Sequence, residues 1–119
     1  MKLIKAFVRA NRATDAVRAL QQAGAPGISV SRVHGLGYGY DQSMFTMGSH
    51  VIDSAPEVVK LEIVCYDEEV DPLIETIVAS AQTCAEGDGI LFVTPVERAV
   101  RIRTGEEYLG HLHQKDTRP

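Results

Sequence analysis

The sequence holds no tryptophan and only two cysteines among its 119 residues. Two thiols, Cys65 and Cys84, do not make a disulfide framework, and no Cys/His spacing resembles a zinc cluster. An excess of positive charge is missing too. The net charge is −4, which leaves no electrostatic footprint for nucleic acid. No apolar run approaches membrane-spanning length. The N-terminus has no apolar signal core ending at a small-residue cleavage site. These absences predict a cytoplasmic protein with no membrane insertion and no nucleic-acid partner. No Ser/His/Asp or Cys/His nucleophile motif is present, so an enzyme is not expected. The carboxylate run Asp67-Glu68-Glu69 reads as a solvated helix start.

What is present suits one compact domain. Hydrophobic residues make up 45% and charged residues 24% of the chain, the balance of a globular protein. A chain of 119 residues can bury a core, but without much to spare. Lys2 to Arg9 alternates loosely and predicts a strand buried in part on both faces. Asn11 and Thr14 are helix-start residues, Gly24 is a stop, and Val17, Leu20 and Ala23 fall at helical spacing between them. Ile28 to Leu36 reads as a second strand. Residues 37–56 show no sustained periodicity, and a connection of that size is usually functional or mobile. Val58 to Tyr66 is the clearest strand, with Val59, Leu61, Ile63 and Cys65 on one face. Asp71-Pro72 predicts the start of a second helix, with Asp71 as the cap. Val70, Leu73, Ile74, Ile77, Val78 and Ala81 mark its buried stripe. Ile90 to Val93 is a further strand, and an irregular piece leads to a last extended segment at Arg101-Ile102-Arg103. The order β-α-β, loop, β-α-β fits a ferredoxin-like α+β fold.

The chain is organised around Ala81 to Gly105. A turn with Gly87, Asp88 and Gly89 leads into Ile90-Leu91-Phe92-Val93. Glycines let a backbone pass close to a ligand, and successive free N–H groups can cradle an anion. In an extended segment Arg101 and Arg103 would share one face. Arginine suits phosphate because its fork bonds two oxygens at once. By spacing alone the same residues also read as a tight turn followed by a solvated basic strand.

The run AQT…GDG-x-x-F followed by V-x-R-x-x-R-I-R-T-G-E-E resembles the C-terminal third of the PII signal-transduction proteins. MKLIKAFVR resembles that family's first strand, SVSRVHGLG its second strand, and VKLEIVC-x-D-E its third. The resemblance covers residues 1–109 and leaves a flexible tail, 110–119. It implies a ferredoxin-like βαββαβ fold with a long T-loop, about 37–56, between strands 2 and 3. It implies a homotrimer concerned with nitrogen regulation. It also implies an adenine nucleotide (ADP, AMP or ATP) held at subunit interfaces by Gly35, Gly37, Gly87, Asp88, Gly89, Arg101 and Arg103. The partner would be a membrane transporter or a regulated enzyme, contacted through the T-loop at Tyr40, Met44, Phe45 and Met47.

Departures from the family pattern shift these expectations. The family run T-G-K-x-G-D-G-K is here Thr83-Cys84-Ala85-Glu86-Gly87-Asp88-Gly89-Ile90, so both lysines are gone and Glu86 adds a negative charge. That disfavours a triphosphate most and predicts a shift toward ADP or AMP. The family's G-x-G-R-Q is here Gly35-Leu36-Gly37-Tyr38-Gly39, which removes the arginine and the glutamine and predicts no family-type 2-oxoglutarate site. The opening MKLIKAFVRANR resembles a divergent branch associated with heavy-metal efflux systems. A metal-responsive role is therefore the alternative. Met44, Met47 and His50 are spaced three apart, and His111 and His113 lie in the tail. Thioether and imidazole suit soft or borderline ions. The same methionines also read as an apolar docking tip.

Overall fold

The computed structural model describes residues 1–37 and 57–108. Four strands and two helices make up the core. They are β1 (Lys2–Arg9), α1 (Ala13–Gln22), β2 (Ser29–His34), β3 (Glu57–Cys65), α2 (Val70–Ala81) and β4 (Gly89–Pro95). The strands form one sheet in the order β2-β3-β1-β4. Every neighbouring pair is antiparallel. This is the α+β, ferredoxin-like βαββαβ arrangement that the sequence predicts.

Alternation in β1 and β3 decides which face is covered. Ile4, Ala6 and Val8 point to one side of β1, and the register sets Ile4 beside Ile63, Ala6 beside Leu61 and Val8 beside Val59. All six are buried, together with Cys65. Ala16 and Leu20 of α1 and Leu73, Ile77 and Ala81 of α2 close over them. Each large apolar side chain fully buried in this way contributes about 1.5–3 kcal/mol relative to exposure. The opposite face is mixed. Leu3, Phe7 and Val64 are half-buried there, Phe92 is exposed, and Phe7 meets Phe92 edge-on at 6.4 Å and 78°.

Helix ends follow local chemistry. After α1, Gly24 takes φ +82°, the Ala25 N–H donates to the Leu20 carbonyl at 3.0 Å, and the Gly24 N–H donates to that of Gln21 at 3.1 Å. This pair of bonds, with glycine in the left-handed region, is a common helix stop. The start of α2 differs from the expectation. Asp71 does not cap it: a single 3-10 turn, Asp67–Glu69, precedes the helix, and the Glu69 carboxylate accepts from the Tyr66 N–H at 2.9 Å. Asp71 falls inside the first turn, where a negative charge still favours the helix dipole.

A larger difference comes after β4. Arg101-Ile102-Arg103 is not a strand. The Arg101 N–H donates to the Glu106 carbonyl at 2.8 Å and the Gly105 N–H donates back to the Arg101 carbonyl at 2.8 Å. Val100 and Glu107 form an isolated antiparallel bridge. Residues 101–105 are thus the tip of a tight turn, and Gly105 takes φ +71° within it. Thr104-Gly105 was the turn signal. Ile102 is 99% exposed, which a buried strand position would not allow.

Candidate functional site

The glycine turn is built around Asp88. Its carboxylate accepts the Thr83 N–H at 2.9 Å, the Cys84 N–H at 3.0 Å and the Arg9 Nε–H at 2.9 Å. The Thr83 hydroxyl donates to it as well. Thr83 and Arg9, with the Cys84 amide, hold this carboxyl well below the usual carboxylate range, against an opposing effect of burial. Arg9 also donates to the Glu86 carbonyl. Arg12, at the end of the 3-10 turn Ala10–Arg12 that follows β1, donates to the Ser80 carbonyl at 2.7 Å, near the end of α2. Arg9 therefore ties the glycine turn to the end of β1, and Arg12 ties the last turn of α2 to the segment that follows β1. Cys84 is exposed and takes φ +62° to fit it.

Gly87 and Gly89 take φ +97° and +99°. At Gly89 there is a second, internal requirement: a Cβ would overlap the Phe7 carbonyl oxygen of the neighbouring strand. Gly35 is buried, and Gly37 takes φ +76°. The register sets His34 beside Glu57, Val33 and Arg9 on either side of Val58, and Gly89 beside Val8. Gly35 and the glycine turn hence lie at the same end of the sheet, three strand spacings or about 14 Å apart. An Arg32–Glu57 ion pair of 2.7 Å joins the roots of the segment between β2 and β3.

The arginines lie elsewhere. β4 runs the length of β1, ending with Pro95 opposite Lys2. Eight residues of β1 span roughly 23 Å. In one chain, the 101–105 turn and the glycine turn therefore stand at opposite ends of the sheet. At the arginine end is an open cleft of about 460 Å³. Leu3 and Val64 supply apolar lining, Ser29 and Glu62 polar groups, and Ala99 and Tyr108 line it from the C-terminal segment. Ser29 and Glu62 are cross-strand partners. Glu62 also pairs with Lys60 at 3.4 Å. The Arg101 guanidinium lies 4.8 Å over the Tyr108 ring.

A family profile described as Nitrogen regulatory protein P-II matches residues 1–106. The chain belongs to the P-II family. A Nitrogen regulatory protein P-II of Cereibacter sphaeroides is 40% identical over 107 residues, covering 89% of this chain and 95% of that protein. One of Haemophilus influenzae is 42% identical over 108 residues, covering 90% and 96%. A Nitrogen regulatory protein P-II 2 of Methanothermobacter thermautotrophicus is 44% identical over 108 residues, covering 89% and 92%. P-II proteins are nitrogen regulators, and this chain shares their ferredoxin-like architecture.

The sequence points to Gly35, Gly37, Gly87, Asp88, Gly89, Arg101 and Arg103 as one site. The structure groups the glycines and Asp88 at one sheet end and the arginines at the other. Ser29 and Glu62 are set side by side by cross-strand register, and Tyr108 reaches the same cleft through the turn that pairs it with Ala99; neither placement is visible in local sequence. Tyr40, Met44, Phe45, Met47, His50, His111 and His113 lie outside the described residues. Among the described residues, no group of three or more His, Cys, Asp or Glu is placed to hold a metal. Among the same residues, no helix is long and apolar enough to cross a membrane.

Proposed function

We propose that this chain is a cytoplasmic regulator that binds an adenine nucleotide between copies of itself and acts on a transporter or enzyme through residues 37–56. One observation carries the reading: Arg101 stands beside an open cleft that offers an apolar lining, a carboxylate and a hydroxyl. A flat heteroaromatic ring fits such a lining. Glu62 lines the cleft as a carboxylate that can accept a hydrogen bond from the exocyclic amine of adenine. The phosphates then extend toward Arg101 and Arg103.

The glycine turn cannot reach that nucleotide within the same chain, because the two are a strand length apart. A second copy can bring its own turn there. The mixed sheet face with Leu3, Phe7, Val64 and Phe92 supports association, and a homotrimer is the expected state. Light scattering at micromolar concentration should give three times the monomer mass. A monomer would leave the shared site without its second half.

Calorimetry on the wild type and an Arg101→Ala/Arg103→Ala double variant tests the site. Hydrogen bonds to charged groups are worth about 1.5–3 kcal/mol each, so the double variant should lose roughly 100-fold or more in nucleotide affinity. ADP or AMP should compete well with ATP, because Ala85 and Ile90 stand where the family has lysine. 2-Oxoglutarate should have no effect. Affinity that survives loss of both arginines would place the ligand elsewhere.

A further inference from the structure

The aromatic group at the cleft has no role in the family resemblance, yet the chain spends several contacts on fixing it. Tyr108 is half-buried in a chain with only four tyrosines and three phenylalanines. Its N–H donates to the Ala99 carbonyl at 2.8 Å. The Val100–Glu107 bridge lies just before it, and Arg98 pairs with the Glu107 carboxylate through Nε at 3.0 Å. The Arg101 guanidinium sits over the ring at 4.8 Å, within cation–π reach. Thus the backbone and one ring face are both held, and Tyr108 lines the cleft together with Ser29 and Glu62.

We infer that Tyr108 is the base-holding residue of this cleft: its ring packs against the heteroaromatic base of the bound nucleotide, while Arg101 on the other side fixes the ring. This rests on the nucleotide reading above. The chemistry follows from the arrangement. With one face covered by a cation, the ring offers the cleft its other face or its edge, and both pack well against a heteroaromatic ring. Every base has a π-face, so the stacking supplies affinity whatever the base. Tyr108 also couples the two parts of the ligand, because the guanidinium it steadies belongs to the arginine nearest the phosphates.

Two variants separate a role for the base from a role through Arg101. Tyr108→Leu fills the space without a π-face, and Tyr108→Phe keeps the face and removes only the hydroxyl. Base–aromatic stacking is worth roughly 5- to 100-fold in affinity. Calorimetry with AMP, ADP and ATP should therefore show Tyr108→Leu weaker by that factor, equally for all three, since the base is common to them. Tyr108→Phe should stay within about twofold of the wild type. A loss that grows with the number of phosphates would mean that Tyr108 acts only by placing Arg101, and would overturn the inference. So would unchanged binding by Tyr108→Leu, or a Tyr108→Phe loss as large as that of Tyr108→Leu. A wild type that binds none of the three nucleotides sinks the nucleotide reading itself. Wild-type binding with an indifferent Tyr108→Leu leaves that reading standing and removes only this residue.

Discussion

Gly89→Ala is expected to cost about 3–5 kcal/mol of stability and to lower the melting temperature by roughly 10–20 °C. Two effects add. Gly89 sits at φ +99°, where a side chain is strained whatever the space around it. The added methyl would also overlap the carbonyl oxygen of Phe7, a backbone atom paired into the sheet centre. Neither partner can turn aside, because β1 is bonded on both edges, to β3 and to β4. Gly24→Ala is the control. Its φ is +82°, but nothing lies within 4 Å of a Cβ there, so only the backbone strain of about 1–2 kcal/mol remains. Thermal melts of the two variants should differ by about 10 °C. Equal losses would show that the close approach to Phe7 relaxes at no cost, and that Gly89 is required by its dihedral alone.

A glycine before a strand suggests room for a ligand, and the anion-cradle reading rests on that. At Gly89 the neighbouring strand already demands glycine. The requirement arises from the Val8–Gly89 register, which no local pattern reveals. Much else was legible. The alternation in β1 and β3 identified the core face down to Val59, Leu61, Ile63 and Cys65, because a period of two is a direct image of which side is covered. The stripe of α2 was equally plain, with Leu73, Ile77 and Ala81 buried and Val78 left exposed at its margin.

What the sequence concealed was distance. Gly89 and Arg101 are close in the chain, and their chemistry invites a single site. β4 lies between them and carries the chain the full length of the sheet, so extended geometry converts a short sequence separation into about 20 Å. The reverse holds for Ser29 and Glu62. They are far apart in sequence, yet antiparallel register sets them side by side. The Arg101–Arg103 segment departs from its sequence pattern for a third reason. Alternating Arg-Ile-Arg looks like a strand, but Thr104-Gly105 closes the turn before a ladder can form.

Asp88→Asn is expected to destabilise the protein by about 2–3 kcal/mol at neutral pH, with a loss that shrinks on acidification. The ionised carboxylate takes bonds from two backbone amides, one hydroxyl and one guanidinium. Bonds to a charged acceptor are the stronger kind, but part of the gain is offset because Thr83 and Cys84 are exposed and re-bond to water. Asparagine has a single acceptor oxygen, and its amide hydrogens would face donors already committed to Asp88. The pH dependence has a definite sign. The folded-state carboxyl is held well below its unfolded value, chiefly by Thr83 and then by Arg9. Its contribution is complete above the unfolded value of about 3.9. It declines as pH falls below that value toward the folded one, because the unfolded chain binds a proton that the folded turn refuses. Melting curves of wild type and Asp88→Asn should therefore be well separated at pH 7 and draw steadily closer as pH falls below about 4. Arg9→Met should reproduce part of the separation and couple to Asp88→Asn in a double-mutant cycle by about 1 kcal/mol. A gap between wild type and Asp88→Asn that stays constant from pH 7 to pH 2 would show that the turn is held by shape and not by the charge at its centre.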